Sequence, residues 1–254
     1  MKRLGINKGR YHGEGINVAE YLREFHAAAT TRGWKPEKFA TVGEYELHGY
    51  RRGPENRGRT IYISSGIHGD EPAGTVALRR SVEEDRWPSD THIILCPCIN
   101  PTGLAAVTRE NGEGIDLNRD YRHPRTQEVR AHIAWLNTLQ GADLALLLHE
   151  DWEADGYYVY EVNPNHLPPI APRIIEAVRE MCPIQQTSKI DGMWDCVDGI
   201  IRPHLKPDER PQWAEAVYMV VHKAKQTLTV EAPSDFPLPF RVEAHMRALA
   251  AALK

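Results

Sequence analysis

TIYISSGIHGDEPAG, residues 60–74, carries the clearest fold signal in the chain. Residues 60–66 are a run of β-branched and aromatic side chains that reads as a strand. Gly66 and Gly69 let the backbone turn sharply, and Pro72 suits the first turn of a helix, where its missing N–H leaves nothing unpaired. A strand that gives way at once to a helix is the building unit of α/β proteins. Between the two lie His68, Asp70 and Glu71. On spacing alone His68 and Glu71 are either incidental to a tight turn or half of a metal site; Asp70 has no arguable role.

Outward from this stretch the alternation continues. HIILCPCIN (92–100) reads as a second strand, and QEVRAHIAWLNTL (127–139) as a helix with Val129, Ile133 and Leu136 on one stripe and Thr126 as its N-cap. ADLALLLHE (142–150) is nearly all apolar, the pattern of a strand buried on both faces. YYVYE (157–161) and QTLTVEA (226–232) are further strands, and a C-terminal helix carries Val242, Met246, Leu249 and Leu253. Residues 17–33 form a helix that ends at Gly33. Residues 185–215, rich in Pro, Asp and Trp, read as a long irregular loop. The expectation is a single α/β domain over 1–254, with helices packed on a central mixed, largely parallel sheet.

The formal net charge of -4 gives no electrostatic case for nucleic acid or an anionic membrane as partner. No apolar run approaches the roughly 18–20 residues that span a bilayer. The opening MKRLGINKGRYHGEG has no apolar core of a secretory leader, so a cytoplasmic location is expected. There is no C-x-x-C pair. Cys96 and Cys98, in a strand-like run, are expected as reduced thiols on one side of that strand.

His68 and Glu71 form the only H-x-x-E among twelve histidines. An imidazole and a carboxylate three residues apart, where a strand meets a helix, can turn toward one point and suit Zn²⁺. The plainer alternative is a turn histidine beside a carboxylate that favours the helix dipole. His149 ends the run ALLLH and is the candidate third ligand. Glu231, in LTVEAPS, is placed to act as a general base; otherwise it pairs with Lys223 or Lys225. His68, Asn100, His149 and Glu231 all fall at the C-terminal ends of predicted strands, the edge where open α/β sheets bind ligands. NPTGLAAVTRENGEGIDLNRDY (100–121) adds Arg109 and Arg119 in a Gly/Asn-rich loop. Arginine forks grip carboxylates and stabilise oxyanions.

Taken in order, His68 and Glu71, N-P-x-G (100–103), Arg109, D-L-N-R (116–119), His149 and Glu231 resemble the zinc carboxypeptidase family. The short bacterial members are the most similar, with the aspartoacylase/succinylglutamate desuccinylase branch related. The resemblance covers 60–250 and leaves residues 1–40 as an N-terminal helical extension. It implies a three-layer α/β/α fold around a twisted sheet, and one Zn²⁺ held by His68, Glu71 and His149. It further implies Arg109 at the scissile carbonyl, Asn118 and Arg119 on a terminal carboxylate, and Glu231 as base and then acid. Asp120 stands where digestive members have Asn, which could weaken Arg119 or select an amine-bearing substrate. No residue matches the mobile tyrosine of those enzymes; Tyr218 lies too near Glu231.

The expected activity is therefore metal-assisted hydrolysis of an amide bond beside a terminal carboxylate, of carboxypeptidase type. Two alternatives use the same zinc site: an N-acyl amino-acid deacylase and a cell-wall peptide amidase. The deacylase branch usually carries a C-terminal β domain, whereas this chain ends in a helix soon after Glu231, which favours the peptidase. A metal-free module that binds peptide C-termini would be expected to have lost a ligand or the base. The partner is thus a small peptide or acyl amino acid with a free carboxylate; oligomeric state is not readable.

Overall fold

In the computed structural model, which describes residues 2–55 and 58–254, the chain opens with α1 (Val18–Thr31). Asn17 caps it by accepting from the Glu20 N–H, and Val18, Tyr21, Phe25 and Ala29 are buried. A hairpin of β1 (Lys35–Val42) and β2 (Tyr45–Arg52) follows. Then come β3 (Thr60–Ser65), α2 (Pro72–Glu84), β4 (His92–Cys96), the short α3 (Pro101–Ala106), α4 (Gln127–Thr138) and β5 (Leu144–Asp151). The second half contains β6 (Tyr158–Val162), α5 (Ala171–Arg179), β7 (Lys189–Ile190), β8 (Trp194–Val197) and β9 (Ile200–Ile201). It closes with α6 (Glu215–His222), β10 (Thr227–Pro233) and α7 (Leu238–Ala252).

The described residues build a ten-stranded sheet in the order β1-β2-β4-β3-β5-β10-β6-β9-β8-β7. Its centre, β4-β3-β5-β10, is parallel throughout. Antiparallel pairs flank it at β2/β4 and β10/β6. Strand periodicity explains the layering. Ile61, Ile63, Leu144, Leu146 and Leu148 face a core completed by α1, α2, α5 and α7. Tyr62, Ala145 and Leu147 face the opposite core, under α4 and α6. The sheet is therefore covered on both sides, as the apolar run of β5 requires.

β3 sits between β4 and β5: α2 carries the chain from β3 to β4 over one face, and α4 brings it back from β4 to β5 over the other. That reversal opens a crevice beyond the C-terminal end of β3. The loops that carry the candidate site residues emerge there.

Three features differ from the expectation. Residues 1–40 are not an appended helix. Phe25 is fully buried in the main core, and β1 is the edge strand of the sheet. Residues 185–215 are not all irregular, because β7, β8 and β9 extend the sheet beyond β6. Strands of two to four residues have almost no periodicity of their own; pairing in series, β9 on β6, β8 on β9 and β7 on β8, makes them. Cys96 and Cys98 do not share a strand face. β4 stops at Cys96, and the two free thiols are buried in different clusters. No helix among the described residues is long and apolar enough to cross a membrane.

The burial of α1 gives a direct test. Phe25→Ala should lower the unfolding free energy by about 3–5 kcal/mol, the cost of emptying a buried aromatic site. Urea denaturation measures it. A loss below about 0.5 kcal/mol, typical of surface positions, would mean that α1 is dispensable to the core.

Candidate metal centre

β3 ends at Ser65, and the chain turns at Gly66, whose φ of +64° lies in the left-handed region. Gly69 then packs so closely on the loop after β4 that a Cβ there would lie 1.8 Å from the Gly103 carbonyl carbon. Asn100 locks the two loops together: its Nδ2 donates to the Ile67 carbonyl (3.1 Å) and its Oδ1 accepts from the Gly103 N–H (2.8 Å). This polar residue at the ligand edge is thus the cap of α3.

Glu71 stands at the N-cap of α2, yet its side chain caps nothing. Instead the Ala73 N–H donates to Glu150 Oε1 (2.6 Å), which frees both Glu71 oxygens. Oε1 lies 2.5 Å from His68 Nδ1, and Oε2 lies 2.8 Å from His149 Nδ1 and accepts from the Glu150 N–H (3.1 Å). Donor atoms of His68, Glu71 and His149 all fall within 4.8 Å of one another, and the three residues are buried. The helix-start carboxylate of the plainer reading is absent, because Glu71 spends its oxygens on imidazoles.

The ligand trio is oriented from behind. His68 Nε2 is 3.3 Å from Asp116 Oδ1, and Asp116 Oδ2 accepts from Arg109 Nε (3.0 Å). A carboxylate on the far nitrogen of an imidazole fixes its ring and leaves Nδ1 for the centre. Glu150 is buried against Arg241, which also donates to the Phe236 carbonyl (2.8 Å) and to Tyr11 Oη (2.9 Å).

Charges follow from this packing. Burial opposes a charge on His68, but Glu71 and Asp116 outweigh it and raise its pKa to about 9. Burial likewise opposes ionisation of Glu71, yet the two histidines hold its carboxyl well below the usual range. His149 is shifted down, by burial and by His68 and Arg109. Burial, with the Glu71 and Asp151 charges, pushes Glu231 well above the usual carboxylate range. Asp70 rises to about 6 for the same reasons, burial first and then Glu71.

A cleft of about 730 Å³ brings together His68, Glu71, His149, Arg109, Asn118, Arg119 and Glu231. Glu231 on β10 lies in register with His149 on β5. Of its two alternative partners, Lys223 and Lys225, the second is taken, since Lys225 Nζ pairs with Asp143 Oδ1 (2.7 Å). Asn118 Oδ1 accepts from the Glu215 N–H (2.8 Å), and Arg119 is exposed at the rim. Asp120 does not reach Arg119 or the cleft. It is buried, and its Oδ2 accepts from the Arg125 and Thr126 N–H groups (both 2.9 Å) and from Thr126 Oγ1 (2.8 Å). Tyr218 packs against Tyr121, outside the cleft.

Sequence reasoning missed Asp116, Glu150, Asp151 and the two cleft tyrosines, Tyr158 and Tyr160. Asp116 was inside the quoted D-L-N-R, and the i, i+2 spacing of Tyr158 and Tyr160 already places them on one strand face. Tyr158 lies in register with Glu231 and donates from its hydroxyl to Asp151 Oδ2 (2.9 Å).

Residues 57–162 match the succinylglutamate desuccinylase/aspartoacylase catalytic domain. Murein peptide amidase A of Escherichia coli (strain K12) is 32% identical over 87 residues, 34% of this chain and 35% of that protein. The match thus spans about a third of that relative's length. Among solved structures, a candidate metallopeptidase from Shewanella denitrificans OS217 superposes with a TM-score of 0.82 at 22% identity, covering 93% of this chain and 89% of the other. A metallo-carboxypeptidase from Burkholderia cenocepacia gives 0.71 at 17% identity, covering 95% and 69%. In fold, then, the chain is similar to solved metallopeptidase and metallo-carboxypeptidase structures, and its segment 57–162 is similar to the desuccinylase/aspartoacylase catalytic domain.

Proposed function

We propose that the protein is a zinc-dependent hydrolase that cleaves an amide bond next to a terminal carboxylate, as a carboxypeptidase does. One observation carries this reading: the three-ligand cluster, Glu231, Arg109, Asn118 and Arg119 open onto the same cleft. Two imidazole nitrogens and a carboxylate, buried and facing one centre, fit Zn²⁺ with a position left for solvent or substrate. When bound there, Zn²⁺ supplies a Lewis acid and brings the pKa of water down toward ~7.

The chain's own residues do the rest. Glu231 takes a proton from the attacking water and returns it to the leaving amine. Arg109 is fixed at Nε by Asp116, and its Nη1 stands 3.7 Å from Glu71 Oε1, at the edge of the ligand trio. From there it donates to the oxygen on which negative charge develops. Asn118 and Arg119 bind the terminal carboxylate. With Asn118 Oδ1 held by the Glu215 N–H, the NH₂ half remains to donate. A backbone N–H can face only the oxygen of an amide, so this orientation is fixed chemically.

A second reading, hydrolysis of a cell-wall peptide amide bond, draws support from the similarity to murein peptide amidase A. The desuccinylase/aspartoacylase match supports deacylation of an acyl amino acid in the same way. All three reactions use the same residues and differ in the groups on either side of the bond. Zinc-loaded protein assayed on C-terminal peptides, cell-wall tripeptides and N-acyl amino acids separates them.

Zinc titration by calorimetry should give one equivalent and release about one proton near pH 7, because His68 is protonated below about 9 and must lose that proton to ligate. Affinity should therefore rise from pH 7 toward 9, and pH-independent binding would contradict the ligand assignment. Glu231→Gln should retain zinc and lose on the order of 10²–10⁴ in kcat; an undiminished rate would remove Glu231 as base. Arg119→Met should raise KM on free-acid peptides about tenfold and leave C-terminally amidated ones nearly unchanged. Equal effects on both would contradict its contact with the carboxylate.

A further inference from the structure

Beneath the cleft lies a polar chain that the proposed chemistry does not use. Glu215, the first residue of α6, is buried with 1% exposure and no ion pair among the described residues. Its Oε1 accepts from the Tyr62 hydroxyl (2.9 Å) on β3. That hydroxyl is also 2.9 Å from His132 Nε2, and His132 Nδ1 is 2.7 Å from the Tyr121 hydroxyl. Tyr62, Tyr121 and His132 are all buried. Tyr62 has one proton to give. If it goes to Glu215, His132 Nε2–H must donate to Tyr62, and Tyr121 must donate to His132 Nδ1. Every donor then runs one way, from Tyr121 through His132 and Tyr62 to the Glu215 carboxyl oxygen, on a group whose pKa burial raises to about 7. Burial keeps His132 neutral, with its pKa lowered to about 3, which this arrangement requires.

The same residue controls the cleft through its backbone. Ala214, at the N-cap of α6, has no side chain to cap the helix, and Asn118 Oδ1 takes the Glu215 N–H instead. Asn118 Nδ2 has no partner among the described residues, so it is the half of the amide left for the cleft. A flip of that amide would present oxygen to a carboxylate, replacing attraction with repulsion. What prevents the flip is the fixed position of the Glu215 N–H.

We infer that Glu215 is a positioning residue: anchored by Tyr62, His132 and Tyr121, it holds the Asn118 amide with its NH₂ group toward the cleft. The inference rests on the reading above in which Asn118 binds the terminal carboxylate. Glu215→Ala leaves the Tyr62 proton without its acceptor and frees the first turn of α6. Glu215→Gln keeps an oxygen for Tyr62 and the same shape, and so should restore the device.

The test combines kinetics with a readout independent of activity. On a free-acid peptide, Glu215→Ala in the zinc-loaded protein should raise KM about tenfold and lower kcat less; on the amidated peptide both should change far less. Glu215→Gln should stay close to wild type, and Tyr62→Phe should fall between. Adding Glu215→Ala to Asn118→Ala should have no further effect on KM. In ¹⁵N NMR the Asn118 side-chain NH₂ pair, assigned through Asn118→Ala, should shift toward free-amide values in Glu215→Ala and not in Glu215→Gln. If Glu215→Ala fails to fold, Tyr62→Phe carries both readouts. An unmoved Asn118 signal, or equal losses on acid and amide peptides, would overturn the inference. If Asn118→Ala does not alter the acid preference, the carboxylate reading fails, and the NMR signal alone decides whether Glu215 positions the amide.

Discussion

A single carboxylate shared between two histidines organises this protein. Glu71 sits where a helix N-terminus would ordinarily claim it, and a capping role would turn it away from the centre. Glu150 removes that competition by accepting the Ala73 N–H. Glu150 is itself a buried charge and is tolerable only because Arg241 meets it. Breaking such a pair from one side costs about 3–5 kcal/mol, since the other charge is stranded. The orientation of Glu71 toward His68 and His149 is therefore stabilised two residue layers behind it, by an arginine more than 160 positions away in sequence.

The position of the centre follows from topology. α2 and α4 cover opposite faces of the sheet, the loops after β3 and β4 are joined at the strand ends by Asn100, and β5 and β10 deliver His149 and Glu231 to the gap beside them. The N-terminal segment supports this edge from the far side. Asp235, just beyond β10, accepts the Gly5 and Ile6 N–H groups (3.0 and 3.1 Å), while Tyr11 and Glu14 bind Arg241. The residues outside the family-like stretch thus brace the segment that follows Glu231.

The legible parts of the sequence were those with local physical signatures. The apolar run of β5 requires burial on both faces, and the step from strand to proline-started helix at 60–74 marks a sheet edge. Residues at the ends of such strands, His68, His149 and Glu231, could be read as convergent before any contact was known. The hairpin β1–β2, the strands β7–β9 and the helices α5 and α6 were not expected. The short strands owe their form to pairing with neighbours rather than to periodicity. The supporting roles of Asp116 and Glu150 were hidden because each depends on a partner distant in sequence. Asp120 shows the opposite error. Next to Arg119 in sequence it looked like a modifier of the carboxylate site, but its oxygen is consumed at the N-terminus of α4.

That outcome explains why D-L-N-R-D-Y can serve as a rigid arm despite containing only one short turn of helix, Leu117–Arg119. Asp116 fastens its start to His68 and Arg109, and Asp120 fastens its end to the first turn of α4. Tyr121 extends the anchorage into the core through His132. Between these points only Asn118 and Arg119 face the cleft, and Asn118 is held by α6. A loop fixed at both ends loses little conformational entropy when it binds a ligand, so more of each contact's free energy appears as affinity. The arginine is exposed and, among the described residues, hydrogen-bonds only to the Asn118 carbonyl, so its head keeps its freedom to move. On the proposed reading, one residue of the pair is set in advance and its neighbour adapts, a division of labour that would suit a carboxylate carried on substrates of different shape.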